Sequence, residues 1–453
     1  MMGERAGSQD RLFYDFCLED VVPADHFLRK IDAVLDLTWL RSALAPYYSH
    51  LGCPSVCPEL MIRMLIVGYC HSIRSERRLC DEVKANLAYR WFCRLGLEDK
   101  VPHHSTFSVN RHGRFRDSAI LRTVFEEVVC GCMKAGLIGG EGFAVDASVI
   151  EADASRFERI EGAEIDWTEK QLSRRAIREY VDGLESESPP INPDRPPKAL
   201  SPTDPCAAWT TRGRYKVMFA YSLNYLMDME GGVILDVEAT PSRISKEVKV
   251  TETMIARTED RFGLKPDHVA GDVAYGNGKM LDWLVKREID PHIPVKEQSE
   301  VAANGIYSRA AFDYDQERDI YICPMGKTLT TTGRVFNDNT LYYRARKADC
   351  EPCPLKEHCC PKSPARRVQR DVNEAARDIA RSLADTDAYH QSAIDRKKIE
   401  RLFAEAKKTL ALDRLRLRGL TGTRDEFLLA AIVQNLKRLA KHVQRPPPEP
   451  MIA

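Results

Sequence analysis

The chain has 453 residues, enough for two or three domains and at least one sizeable core. With 43% hydrophobic and 30% charged residues it has the composition of an ordinary globular protein. Its 67 Lys and Arg balance 67 Asp and Glu, so whole-chain charge points to no polyanionic partner. The opening MMGERAGSQDRL lacks an apolar signal region, and the longest apolar run near it, Met64 to Cys70, is too short to span a bilayer. A cytoplasmic protein with no membrane contact is expected, its cysteines reduced.

From Asp10 to about Gly139, apolar residues recur at three- and four-residue spacing, as in PELMIRMLIVGYCHSIRSERRLCDEV and SAILRTVFEEVVCGCMKAGLI. This predicts an all-helical domain over 1–138. Arg74, Arg77 and Arg78 give it one basic edge, and His103 to Arg116 adds a second. At Gly139 the pattern changes to strand. GFAVDASVIEA, YKVMFAYSLNYLMD and GVILDVEATPS read as three strands, with EGG as the turn between the last two. A helix (KEVKVTETMIARTEDRF), a short strand (HVAGD), a second helix (GKMLDWLVKREI) and a strand (PHIPVK) follow. Strands followed by alternating helix and strand predict a mixed α/β layer, and an α+β chain as a whole. Its first part is expected over 139–296, interrupted by an exposed Pro-rich linker at 186–205. A cysteine-containing insertion is expected at 297–385, completing helices at 386–443 and a disordered tail at 444–453.

Charge is unevenly placed. Between Glu151 and Pro205 there are thirteen acids against eight bases, a balance of −5. Between Arg396 and Arg418 there are nine bases against three acids, a balance of +6. A basic segment of this kind suits a phosphate backbone, although a charge run alone more often marks a solvated face. Within it, RKKIERLFAEAK places Arg396, Glu400 and Lys407 within about 40° of one another on a helical wheel. Ile399, Leu402, Phe403, Ala406 and Leu410 form the adjoining apolar stripe. A carboxylate at a core edge needs a positive partner. Arg396 could supply it as an i,i+4 pair. A divalent cation could too, if further carboxylates converge there. Asp146, in a strand interior where Asp is disfavoured, and Asp272, at the end of HVAGD before a Gly-containing turn, are the candidates. Three such carboxylates suit oxygen-loving Mg²⁺ and phosphodiester chemistry.

The spacing Arg396, three residues, Glu400, six residues, Lys407 resembles the motif around the catalytic glutamate in bacterial insertion-sequence DDE transposases. VDAS around Asp146 and AGDVAYGN around Asp272 resemble the first and second aspartate motifs of that group. The N-terminal stretches GCPSVCPELMIRMLIVGY, IRSERRL, NLAYRWFC and HHSTFS are similar to the domain preceding the catalytic core in one branch. The resemblance implies a ribonuclease-H-like core bearing Asp146, Asp272 and Glu400, with Mg²⁺ as the working metal and Mn²⁺ as a substitute. It implies cleavage of double-stranded DNA at element terminal repeats, strand transfer into target DNA, and a dimer on DNA. Arg396, Lys407, Lys408, Arg414, Arg416 and Arg418 are expected to support the site or touch DNA. In one respect the sequence departs from the family pattern. Where the family places Tyr three residues before the Arg, implicated in stacking on a flipped base, this chain has Ala393; Tyr389 lies two turns before Arg396.

CPMGK and CEPCPLKEHCC hold Cys323, Cys350, Cys353, Cys359 and Cys360. The first four form the preferred set for a structural Zn²⁺, against which stands a reading as reduced buried thiols. Two other functions compete with the transposase: a catalytically inactive, transposase-derived DNA-binding protein, and a zinc-dependent regulator, which leaves the carboxylates without a role.

Overall fold

The structure, a computed structural model, describes residues 16–49, 51, 55–160, 168–184, 199–212, 216–295, 300–337 and 339–443. Two compact units divide the chain. The first comprises Met1–Ile138, Val149–Leu223 and Leu402–Ala453; the second comprises Gly139–Ser148 and Asn224–Arg401.

The N-terminal part of the first unit is helical, with several starts set by side-chain caps. Ser75 accepts from the Arg78 amide ahead of Glu76–Ala85, and Asn86 accepts from Ala88 and Tyr89 ahead of Leu87–Phe92. His103 caps His104–Asn110 and its ring lies against that of His104, which gives the histidine pair a structural role. Helices Pro58–Cys70 and Ile120–Lys134 pack on the long helix Gly419–Val443. From Phe427 to Leu436 that last helix is buried on every face, so it is a core helix and not a surface one.

Its Glu426 pairs with Arg74, and both side chains are almost wholly buried. Arg111 is likewise buried against Glu76 at 3.1 Å. The two expected basic edges are therefore reduced. A buried guanidinium needs a carboxylate beside it, and these two arginines serve the core, leaving Arg77 and Arg78 exposed.

The end of the expected exposed linker also differs. Leu200 bridges to Ile160, and Asp204 is fully buried and accepts from the Tyr221 hydroxyl at 2.6 Å. Residues 186–198 of that linker and the tail at 444–453 lie outside the described residues.

The main sheet contains β1 (Gly142–Glu151), β2 (Ala208–Arg212), β3 (Lys216–Asp228), β4 (Ile234–Pro241), β5 (His268–Ala270) and β6 (Asp290–His292). The order is β2–β3–β1–β5–β6, with β4 also on β3. β1 runs against β3: the Met229 amide donates to Gly142 O, and the Ala152 amide to Phe219 O, both at 2.9 Å. β1 is parallel to β5, and β5 to β6. The path β4–β3–β1–β5–β6 is the ribonuclease-H-like order, three antiparallel strands followed by two parallel ones. β2 has no counterpart in the sequence reading; it pairs with the start of β3, Ala208 opposite Ala220.

The second unit also holds the insertion, whose antiparallel sheet is not apparent from sequence. Its strands are β7 (Asp313–Asp315), β8 (Ile320–Ile322), β9 (Thr328–Phe336), β10 (Thr340–Arg344) and β11 (Arg367–Asp371). They enclose a small core of Phe312, Tyr321, Leu329, Tyr343 and Val368. Among the described residues no helix is long and apolar enough to cross a membrane.

Candidate active site

Asp146 follows Phe143, Ala144 and Val145, all fully buried, in the middle of β1. A run so apolar is the mark of a strand covered on both faces. Asp146 keeps 18% of its side chain exposed, and its Oδ1 accepts from the Ala147 amide at 2.7 Å.

On the neighbouring strand, β5 ends at Ala270 and Gly271 turns the chain toward Asp272. A Cβ at Gly271 would lie 3.2 Å from Val145 Cγ2, so the bare backbone lets Asp272 come close to β1. Asp272 caps the 3₁₀ turn Val273–Tyr275, its Oδ1 accepting from Ala274 N at 2.9 Å. Gly276 has no room for a side chain, because a Cβ there would stand 2.4 Å from the Pro294 carbonyl oxygen. Asn277 then caps the helix Gly278–Lys286 by accepting from Met280 N. The AGDVAYGN segment is thus a strand end, a capped turn, a close backbone approach and a helix cap in succession.

Glu400 sits in the first turn of Lys397–Lys408 and is 60% exposed, beside the buried Ile399. Arg396 occupies the turn between Asp387–Asp395 and this helix. Its guanidinium lies 3.4 Å from Asp146 Oδ2 and 3.9 Å from Glu400 Oε1. Arg396 therefore bridges the first and third carboxylates, whereas the sequence suggests only the pair within the helix.

Burial pushes the Asp146 carboxyl up to about 6, with Asp272 and Glu400 raising it and Ala147 N–H and Arg396 opposing. Asp272 and Glu400 thus lie near enough to act on the Asp146 carboxyl, as acids that share one site do. Among the described residues, no three His, Cys, Asp or Glu side chains are gathered as ligands of one ion. The donor chemistry fits a hard divalent ion, and Arg396 supplies the positive charge between Asp146 and Glu400. Tyr275, almost wholly buried, has its phenol raised well above the usual range by burial and by Asp146. It is a neutral floor residue that sequence reasoning missed, though it lies inside the AGDVAYGN motif.

Lys407, Lys408, Arg414, Arg416 and Arg418 belong to the other compact unit. Arg414 and Arg418 both pair with Asp153, at 3.5 and 3.0 Å, while Lys408 and Arg416 are exposed. The helix containing Tyr389 ends before Arg396, and the tyrosine ring packs on His292 with centroids 5.5 Å apart.

Of the cysteines preferred for zinc, Cys350 and Cys359 lie together, with Cys360 beside them. The thiols of Cys350, Cys359 and Cys360 hydrogen-bond among themselves. Cys353 contributes its amide to Cys350 O, and Cys323 opens the turn that closes on Lys327. Burial pushes the Cys359 thiol up to about 12.

The core has ribonuclease-H-like strand order, with Asp146 in β1, Asp272 just after the parallel strand β5 and Glu400 in a later helix. Two family models match the chain: "Transposase domain (DUF772)" over residues 16–113 and "Transposase DDE domain" over residues 322–440. Over those two stretches the chain is similar to DDE-type transposases. No curated protein matches it. Among solved structures it is similar to a piggyBac transposase in a synaptic complex with hairpin DNA, at 10% identity and a TM-score of 0.31, covering 91% of this chain and 73% of that one. A similarity at that level carries no argument about this chain.

Proposed function

We propose that the chain cleaves DNA at the ends of a mobile element and joins the released 3′ ends to target DNA, with Asp146, Asp272 and Glu400 as its catalytic carboxylates. The observation that carries this reading is the bridge from Arg396 to Asp146 and Glu400, with Asp272 close enough to raise the Asp146 carboxyl. Asp146, Asp272 and Glu400 would hold Mg²⁺, or Mn²⁺ in its place. When bound, such ions activate the attacking oxygen and stabilise the leaving one. In cleavage, water bonds to phosphorus and the 3′ oxygen leaves, taking up a proton. In transfer, that 3′ hydroxyl loses its proton, bonds to a target phosphorus and displaces the target's 3′ oxygen.

Arg396 orients Asp146 and Glu400 and holds part of their charge. Asp272, tied by Ala274 N–H, presents its other oxygen. Duplex DNA of the element ends and of the target are the proposed partners, and joining two ends in one event calls for a dimer on DNA. The basic residues Lys407, Lys408, Arg414, Arg416 and Arg418 are proposed to touch backbone, of which Lys408 and Arg416 are the most available.

Incubating the protein with a labelled duplex of its own element's end, with Mg²⁺ or with EDTA, tests the reading. Mg²⁺-dependent nicking by the wild type, lost in Asp146→Ala, is expected. Binding without cleavage by the wild type under Mg²⁺ or Mn²⁺ would favour a DNA-binding protein that no longer cuts.

A further inference from the structure

The insertion carries a cluster of cations outside the carboxylate site. In the antiparallel pairing of β10 with β11, Arg344 stands directly opposite Arg367. Like charges placed opposite each other across a ladder destabilise a sheet. Both side chains are exposed, and among the described residues neither has a carboxylate partner to relieve the repulsion.

The two arginines open onto a groove of about 680 Å³ that Lys362 and Arg366 also line, and no carboxylate lines it among the described residues. Arg366 forms its floor. It donates to the carbonyls of Cys359 and Tyr307 at 2.6 Å, and its buried Nε has no hydrogen-bond partner. Arg367 is held over the Tyr342 ring at 4.4 Å, and Arg334 over Phe336 at 5.1 Å, with the two rings edge to face. Stacking on aromatic rings fixes guanidinium groups in place without neutralising them. Two opposed arginines, a lysine and an arginine floor in an open groove without acids form a site for a chain of anions.

We infer that this groove is a second DNA-contacting surface, one that takes the sugar–phosphate backbone of a strand through Arg344, Arg367 and Lys362. The inference rests on the proposed action on DNA and adds a binding surface on the insertion, separate from the carboxylates. Phosphate contacts of this kind position the duplex and do not read its sequence.

The test is binding of the full chain to a labelled element-end duplex and to an unrelated duplex, in EDTA over a series of salt concentrations. Arg344→Glu is the main variant, because it converts a repulsive cross-strand pair into an attractive one and so preserves the fold. It should bind both duplexes on the order of tenfold more weakly, and Arg344→Glu with Lys362→Glu should lower the slope of log K against log salt by about 2.

Unchanged affinity and slope in the groove variants, with binding by the wild type intact, would overturn this inference and leave the catalytic proposal standing. No DNA binding by the wild type would overturn both. Equal competition by inorganic phosphate and by oligonucleotide would show a free-anion site and overturn the assignment to a DNA strand.

Discussion

At the scale of single residues, Asp146 carries an electrostatic cost of burial. Its carboxyl stands near 6, above the ordinary value of 3.8, so between these limits the folded state binds more protons than the unfolded one. The charged form is the disfavoured one. Stability is highest below the ordinary value and is lost as pH rises through about 6, by up to about 3 kcal/mol. Asp146→Asn should therefore be more stable than the wild type in EDTA at pH near 8 and no more stable at pH near 4, while losing cleavage. Denaturant midpoints at the two pH values check this, and a destabilised variant at both would contradict it. Arg396→Ala removes the cation that counters Asp146 and orients Glu400. Cleavage should fall about 10- to 100-fold and its acid limb should move to higher pH, with Arg396→Lys recovering part of the activity. A pH–rate profile separates this from a loss of folding.

Among the elements, the turn after β5 is the most constrained. Gly276→Ala places a carbon 2.4 Å from the Pro294 carbonyl, a clash with backbone that no rotamer relieves. The cost should be about 1–3 kcal/mol, with Asp272 displaced. Asn277→Ala removes only the cap of Gly278–Lys286 and should cost about 1 kcal/mol. Comparing thermal unfolding of the two variants tests the difference; equal losses would mean that the close approach does not matter. This turn was legible in the sequence as a Gly-containing segment after a strand, because glycine and asparagine carry local meaning. The insertion's sheet was not legible. Four of its five strands have only three to five residues, and its core residues are spread from Phe312 to Val368.

For the molecule as a whole, the first unit is assembled from three chain segments, and buried charge helps to tie them. Arg74 comes from the first segment and Glu426 from the third, and both side chains are almost wholly buried. Removing one partner strands the other in the core, so Arg74→Ala should cost about 3–5 kcal/mol. Hydrogen exchange should then show lost protection across Gly419–Val443, whereas protection confined to its wild-type pattern would deny the pair that role. The same assembly explains why the basic edges read from sequence were overestimated. Arginine in a charged stretch looks exposed until its long-range carboxylate is known.

The sequence by itself determined the helical start, the main-sheet strands β1, β3, β4, β5 and β6 with the two helices between β4 and β6, and the residues Asp146, Asp272, Arg396 and Glu400 as a set worth placing together. These follow from local periodicity, from turn chemistry and from motif spacing, all carried by neighbours in the chain. Only the tertiary structure decided that Arg396 spans from Glu400 to Asp146, that Arg74 and Arg111 are core residues, and that Arg344 opposes Arg367. Each of these depends on which distant residues meet. Strand register and the pairing of buried charges are set by packing of the whole chain, and no local pattern encodes them.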